Sequence, residues 1–302
     1  MGKVHYQVVM AYYWLIRKLR NAGVDPSPRH LRLAADRVGS VSPMPMGTKL
    51  ERTQLEGVPT GKITYRTPND EGVLMFIHGG GFAFGSVNTH RSAVAHLCKM
   101  TGFTGYIPEY RLTPEHPYPI PLEDCVAAYE GMIERHPGRK IILLGDSAGG
   151  NLATETVLEI LRKGKKAPDK FILMSPWLDL SPESESAQKN RDEDSLFDKN
   201  DLIHYSRMYV GDLNPNSSAI SPINADLKGF PETLIQVAEN ELLYFDSLRF
   251  SEALVKAKVD VEMQVEPHLF HSWQLFPDFV PEAKRSLEKA AEFISATTPV
   301  QG

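Results

Sequence analysis

The segment Gly145-Asp146-Ser147-Ala148-Gly149-Gly150 directly follows the apolar run Ile141–Leu144 and opens a helical pattern over Asn151–Arg162. A G-x-S-x-G string arises by chance in about one chain in ten of this length, so the letters alone carry little. Their setting carries more. A sharp strand-to-helix turn needs small residues around a serine, to hold its strained backbone and expose its hydroxyl. The serine also stands at a helix N-terminus, where N–H groups and the dipole favour developing negative charge. The chemistry this suits is nucleophilic attack on a carbonyl.

A second rare string, His78-Gly79-Gly80-Gly81-Phe82, ends the apolar run Val73–Ile77. A histidine followed by three glycines occurs by chance in only about 0.4% of such chains. Three glycines let the backbone turn so that consecutive N–H groups point into a cavity, as an oxyanion hole requires. A phosphate-binding loop is the competing reading. No Gly-Lys-Ser/Thr follows, however, and no acidic residue is placed for a ribose.

With these two elements, and with Tyr110-Arg111-Leu112-Thr113-Pro114-Glu115-His116-Pro117 and Ser175-Pro176-Trp177-Leu178-Asp179, the sequence resembles the hormone-sensitive-lipase-like (G-D-S-A-G) family of α/β-hydrolase esterases over most of its length. Thr113 stands where that family usually has alanine. The resemblance implies an α/β-hydrolase fold, with a mostly parallel central sheet, helices on both faces and a helical cap. It implies a serine carboxylesterase acting on short to medium acyl chains. His78 would shape the glycine loop rather than transfer protons, and the N–H groups of Gly80, Gly81 and Ala148 would bind the oxyanion.

In that fold the partners follow in the order serine, acid, histidine, which leaves His268 and His271 of the ten histidines as the base. His271, in Phe270-His271-Ser272-Trp273, matches the family position before the last helix. The acid should follow the apolar run near Leu234–Val237, where Glu239, Glu241 and Asp246 are all available. By resemblance Glu241 takes the place of the first aspartate in D-x-L-x-D, and Asp246 is the main rival. Asp146, beside the serine, is read as structural. Tyr110, Arg111, Glu115 and Asp124 read as a network bracing the glycine loop, and Phe82, Phe84, Tyr205, Met208 and Tyr209 as candidate linings of the substrate pocket.

The elements needed to hold these residues are legible. Two alternating segments over Lys49–Thr67, turning at Gly57–Gly61, read as antiparallel strands. The runs Val73–Ile77, Gly105–Ile107, Ile141–Leu144, Phe171–Met174, Leu234–Val237 and Val261–Val265, separated by helical patterns of crossover length, then indicate a mostly parallel sheet covered on both faces. Residues 1–45 and 181–225 fall outside the alternation and are expected to form a cap. The core would comprise 46–180 and 226–302. Val4, Val8, Tyr12, Leu15 and Leu19 recur at helical spacing, and a second cap helix is expected near Leu202–Tyr209.

Composition narrows the function classes. The 302 residues carry 33 Lys plus Arg against 38 Asp plus Glu, a formal net charge of −5 with no basic block, so nucleic acid is not an expected partner. No stretch is long enough to span a bilayer, and stable membrane insertion is not expected. Cys98 and Cys125 lack any Cys-x-x-Cys or Cys/His ligand spacing. They read as buried thiols in the cytoplasm, with no metal and no organic cofactor expected. The partner expected is a small-molecule ester. A homodimer through Val261–Val265 and the Pro281–Ile294 helix is a further implication of the resemblance. Amide hydrolysis on the same residues, and a non-catalytic small-ligand receptor on the same fold, are the competing functions.

Overall fold

The computed structural model describes residues 27–188, 194 and 197–296. The amphipathic helix expected over Val4–Leu19 lies outside those residues.

Among the described residues, eight strands form one sheet: β1 (Thr48–Leu55), β2 (Val58–Tyr65), β3 (Gly72–Ile77), β4 (Thr104–Pro108), β5 (Lys140–Asp146), β6 (Lys170–Met174), β7 (Thr233–Ala238) and β8 (Val261–Glu266). Their order is β1-β2-β4-β3-β5-β6-β7-β8. The β1–β2 and β2–β4 pairs are antiparallel and all others are parallel. The hairpin turn is tighter than the glycine spacing suggests, starting one residue before Gly57 and ending four before Gly61. Glu56 and Gly57, both at positive φ (45° and 82°), join Leu55 to Val58, as a tight hairpin of this kind requires. Gly61 instead lies within β2 opposite Arg52, where a Cβ would come 2.5 Å from the Val87 side chain.

The described helices are α1 (Pro28–Ser40), α2 (Val87–Thr101), α3 (Ile120–Arg135), α4 (Ser147–Arg162), the single turn α5 (Glu185–Gln188), α6 (Lys199–Val210), α7 (Tyr244–Lys256) and α8 (Pro281–Ser295). The central strands are buried on both faces, so the two-residue side-chain period divides each of them between two cores. Val73, Met75, Ile77, Ile141, Leu143, Phe171 and Leu173 face α3, α4, α6 and α7. Leu74, Phe76, Ile142, Leu144, Ile172 and Met174 face α2 and α8. Each such side chain taken from water contributes about 1.5–3 kcal/mol. The sheet is thereby a rigid base from whose C-terminal edge the functional loops rise.

Two capping devices set helix starts near that edge. Ser86 and Thr89 form a reciprocal box at α2, and Asp198 with Asp201 forms another at α6. Helix α1 is tied to the β3–α2 connection by Asp36, whose Oδ1 accepts from Ser86 Oγ (2.8 Å) and Asn88 Nδ2 (2.9 Å). Arg32 of α1 donates to the carbonyls of Ala83 (2.7 Å) and Thr113 (2.6 Å) and pairs with both oxygens of Glu115. Among the described residues no helix is long and apolar enough to cross a membrane.

Candidate active site

Ser147 is the first residue of α4, immediately beyond β5, and holds φ +51°. That left-handed conformation costs a non-glycine residue about 1–3 kcal/mol and is tolerated where packing over-determines it. Here the packing is backbone on backbone. A Cβ on Gly149 would lie 2.2 Å from the Ile77 carbonyl oxygen, so only glycine lets the first turn of α4 approach the end of β3. The Ser147 carbonyl accepts from Trp177 N–H at 3.0 Å, which fixes the turn against the segment leaving β6.

The glycine loop begins where β3 ends. Gly80 and Gly81 take φ +116° and +57°, and the Gly80 carbonyl accepts from both Ala83 and Phe84 N–H at 3.0 Å. Among the described residues no hydrogen bond occupies the N–H groups of Gly80 and Gly81. His78 is buried; its Nδ1 lies 2.9 Å from the Gly79 carbonyl and its ring stacks on Tyr110 at 4.2 Å. Burial first, and the neighbouring His90 second, push its pKa down to about 3, so it stays neutral and acts as a shaped packing element. Tyr110 donates to the His78 carbonyl (2.7 Å), and Arg111 clamps Asp124. Glu115 departs from the expected network by pairing with Arg32 of α1.

His271 sits between β8 and α8, with Nδ1 3.5 Å from Oε2 of Glu241 in the loop after β7. The same Glu241 oxygen accepts from Ser175 Oγ at 2.8 Å, and Ser175 Oγ accepts from Ser272 N–H at 3.1 Å. Burial opposes a charge on His271, but the Glu241 hydrogen bond and charge, with Asp194 and Asp146, raise its pKa above 6.5. Phe197 closes edge-on against the imidazole at 5.1 Å. The rival acid is placed elsewhere. Asp246 accepts from Leu178 N–H (2.7 Å), Asp179 N–H (2.9 Å) and Ser186 Oγ (2.5 Å), bracing the chain beyond β6. Glu239 and His268 are exposed.

Ser147, Gly80, Gly81 and His271 line one cleft. Its walls are largely apolar: Val38 of α1, Phe84, Trp177, Phe197, Leu202, Tyr205, Leu242, Leu243, Leu275 and Phe276. Of the five expected pocket residues, Phe84 and Tyr205 are in this lining; Phe82, Met208 and Tyr209 are not. Phe82 is fully buried, stacked at 3.8 Å on Tyr209, because the glycine loop turns it down into the core at φ +60°. Met208 packs against the same core as a half-buried side chain. Ala148 is also outside the lining, but its N–H belongs to the first turn of α4.

Four contributors were not singled out as site residues in the sequence: His90 and Asp194, which stand in no motif, and Ser175 and Ser272, which stand in quoted motifs without a role; Asp194 accepts from Leu242 and Phe197 N–H at 2.9 Å each. Their signal lies in tertiary placement. No group of three or more His, Cys, Asp or Glu among the described residues is arranged to hold a metal ion.

Residues 74–275 match the family described as alpha/beta hydrolase fold. The chain is 32% identical over 298 residues to an "Esterase" of Acinetobacter venetianus, covering 96% of this chain and 98% of that one. It is 33% identical over 254 residues to an "Acetyl-hydrolase" of Streptomyces hygroscopicus, covering 80% and 85%. A hormone-sensitive lipase from a metagenome library superposes with TM-score 0.86 at 33% identity, covering 95% of this chain and 98% of the other. Family match, length-wide similarity and shared architecture agree: the chain belongs to the α/β-hydrolase family, in its hormone-sensitive-lipase-like branch of ester hydrolases.

Proposed function

We propose that the protein hydrolyses carboxylic esters of short to medium acyl chains through an acyl-enzyme on Ser147, with His271 as general base and acid and Glu241 orienting it. The observation that carries this reading is a single cleft that contains a strained serine at a helix start, a histidine paired with a buried glutamate, and two glycine N–H groups that have no hydrogen-bond partner among the described residues. His271 takes the Ser147 proton as the hydroxyl attacks the carbonyl carbon, and the imidazolium is stabilised by Glu241. Negative charge forming on the carbonyl oxygen is met by Gly80, Gly81 and Ala148 N–H groups at the positive end of α4. His271 then protonates the leaving alkoxide, and water, activated by the same base, releases the acid.

Glutamate is longer than aspartate by one methylene, and Ser175 supports the longer side chain by donating to the oxygen that faces His271. The apolar walls favour an acyl group over a charged one. Phe82 stacks on Tyr209 and lies tilted against Trp177 in the core behind the glycine loop. The name of the acetyl-hydrolase relative is consistent with small acyl groups.

The test is initial rates on p-nitrophenyl esters from acetate to palmitate, for the natural sequence and Ser147→Ala. Serine-dependent turnover with a maximum at short to medium chains supports the reading. A maximum at palmitate contradicts the chain-length part. Absence of serine-dependent turnover on every ester contradicts the whole, and matched anilide substrates would then measure amide hydrolysis.

A further inference from the structure

Asp146 precedes the nucleophile, is 2% exposed, and has no part in the chemistry above. Its Oδ1 accepts from Gly79 N–H at 2.7 Å and lies 2.9 Å from His90 Nε2; its Oδ2 accepts from Ser272 Oγ at 3.0 Å. These partners belong to three separate segments: the glycine loop, helix α2 and the residue that follows His271. We propose that Asp146, anchored by His90, is a positioning residue that sets the oxyanion loop and the His271 loop relative to Ser147. The inference rests on the reading of Ser147 and His271 as an ester-hydrolase pair.

The arrangement is specific to that task. A Cβ on Gly79 would lie 2.5 Å from Asp146 Oδ2, so the first glycine of the loop is what lets the carboxylate approach. Ser272 is fixed from two sides, its N–H on Ser175 and its hydroxyl on Asp146, while its own φ is +53°. Bonds to a buried carboxylate are stronger than neutral ones and leave a large penalty when a partner is removed. The braces at Asp124 and Asp246, by contrast, do not bond to the glycine loop or to the loop carrying His271.

The carboxylate also acts as a charge. Burial alone would raise its pKa, but the charge and hydrogen bond of His90, with His271 and the Gly79 N–H, hold it below the ordinary carboxylate value. Two further titratable groups in its field, His78 and Tyr110, stay neutral in the working range because burial lowers the first and raises the second. His271 in turn faces three carboxylates, Glu241, Asp194 and Asp146. Removing the Asp146 charge therefore makes the imidazolium harder to form.

The experiment compares Asp146→Asn, His90→Gln, His90→Ala and Ser272→Ala on p-nitrophenyl butyrate from about pH 5 to about pH 9. Asp146→Asn is expected to lower kcat about 100-fold and to move the acid limb of kcat/KM to lower pH, with KM nearly unchanged. Ser272→Ala should lower kcat about fivefold to tenfold, the value of one buried hydrogen bond. His90→Gln should retain more activity than His90→Ala, because its amide can still donate. A folded Asp146→Asn with an unshifted acid limb would overturn the proposal.

If Asp146→Asn does not fold, the cycle of His90→Gln with Ser272→Ala decides. Non-additive kcat losses support a shared carboxylate, and additive losses overturn it. Loss of Ser147-dependent turnover in the natural sequence would sink the esterase reading itself. Its presence with an unshifted limb would sink only the Asp146 proposal.

Discussion

The hydroxyl of Ser175 donates to Oε2 of Glu241 at 2.8 Å and also accepts the N–H of the residue after His271 at 3.1 Å. A serine at the end of β6, held at φ +48°, thus connects the acid loop to the base loop. Ser175→Ala should lower kcat about tenfold, the order expected for losing a buried hydrogen bond to a charged group, with KM within about twofold. Steady-state rates on p-nitrophenyl butyrate check this; a change confined to KM would contradict it.

The two candidate acids should separate cleanly. Glu241→Ala is expected to cost about 10³- to 10⁴-fold in kcat, comparable to losing the carboxylate that orients a catalytic histidine, while leaving the thermal midpoint close to that of the natural sequence. Asp246→Asn should do the reverse, lowering the midpoint because two backbone N–H groups and Ser186 depend on it, with a small effect on kcat. Parallel melting curves and rates measure both.

The pH dependence of activity follows from His271. The base must be neutral to act, and the carboxylates around it hold its pKa above 6.5. The acid limb of kcat/KM should therefore fall at a pH above 6.5, and Glu241→Gln should move it downward. A limb below 6.5 in the natural sequence would contradict the assigned electrostatics.

Stability has its own pH signature at Glu155 on α4. Burial, with Glu159 adding to it, raises this carboxyl to about 8, and Oε1 has no partner among the described residues. The unfolded group loses its proton near 4.5, whereas the folded one keeps it to about 8. Between those values the native state binds more protons than the unfolded state, so stability falls as pH rises. Glu155→Gln should abolish that fall, raising the melting midpoint by several degrees near pH 8 and by little near pH 5. Melting curves at the two pH values provide the check.

Gly81 offers a geometric test of the oxyanion loop. An added Cβ would sit 2.8 Å from the Tyr205 ring at a φ of +57°, so Gly81→Ala should shift the loop and lower kcat about 10²-fold. Tyr205→Ala in the same chain should recover part of the loss by removing the clash, as a double-mutant cycle would record.

Much of the architecture was legible because the strands are short, continuous apolar runs and the helices carry 3.6-residue periodicity. The start of α4 at Ser147 itself, and α8 over Pro281–Ser295, lie within a few residues of the pattern. The hairpin turn was misplaced since Gly61 looked like a turn residue, whereas it is a strand residue kept small by Val87. Ser147 and His271 were reachable through local motifs and chain order, whereas chain order left three acids open and only the family resemblance pointed to Glu241; the structure brings all three residues to one end of the sheet. For Phe82, Met208 and Tyr209, residue type alone suggests a pocket lining, and the direction of the loop at Phe82 is a tertiary fact. The bonds from Asp146 to His90 and to Ser272 span 56 and 126 residues, and no spacing within a sequence encodes such contacts.

The most direct test of the central claim is intact-protein mass spectrometry after rapid mixing with p-nitrophenyl butyrate and acid quench, followed by peptide mapping. The account predicts one butyryl group per chain, carried by the peptide containing Ser147, and none on Ser147→Ala. Turnover without an acylated intermediate, or acylation that persists on Ser147→Ala, would contradict it.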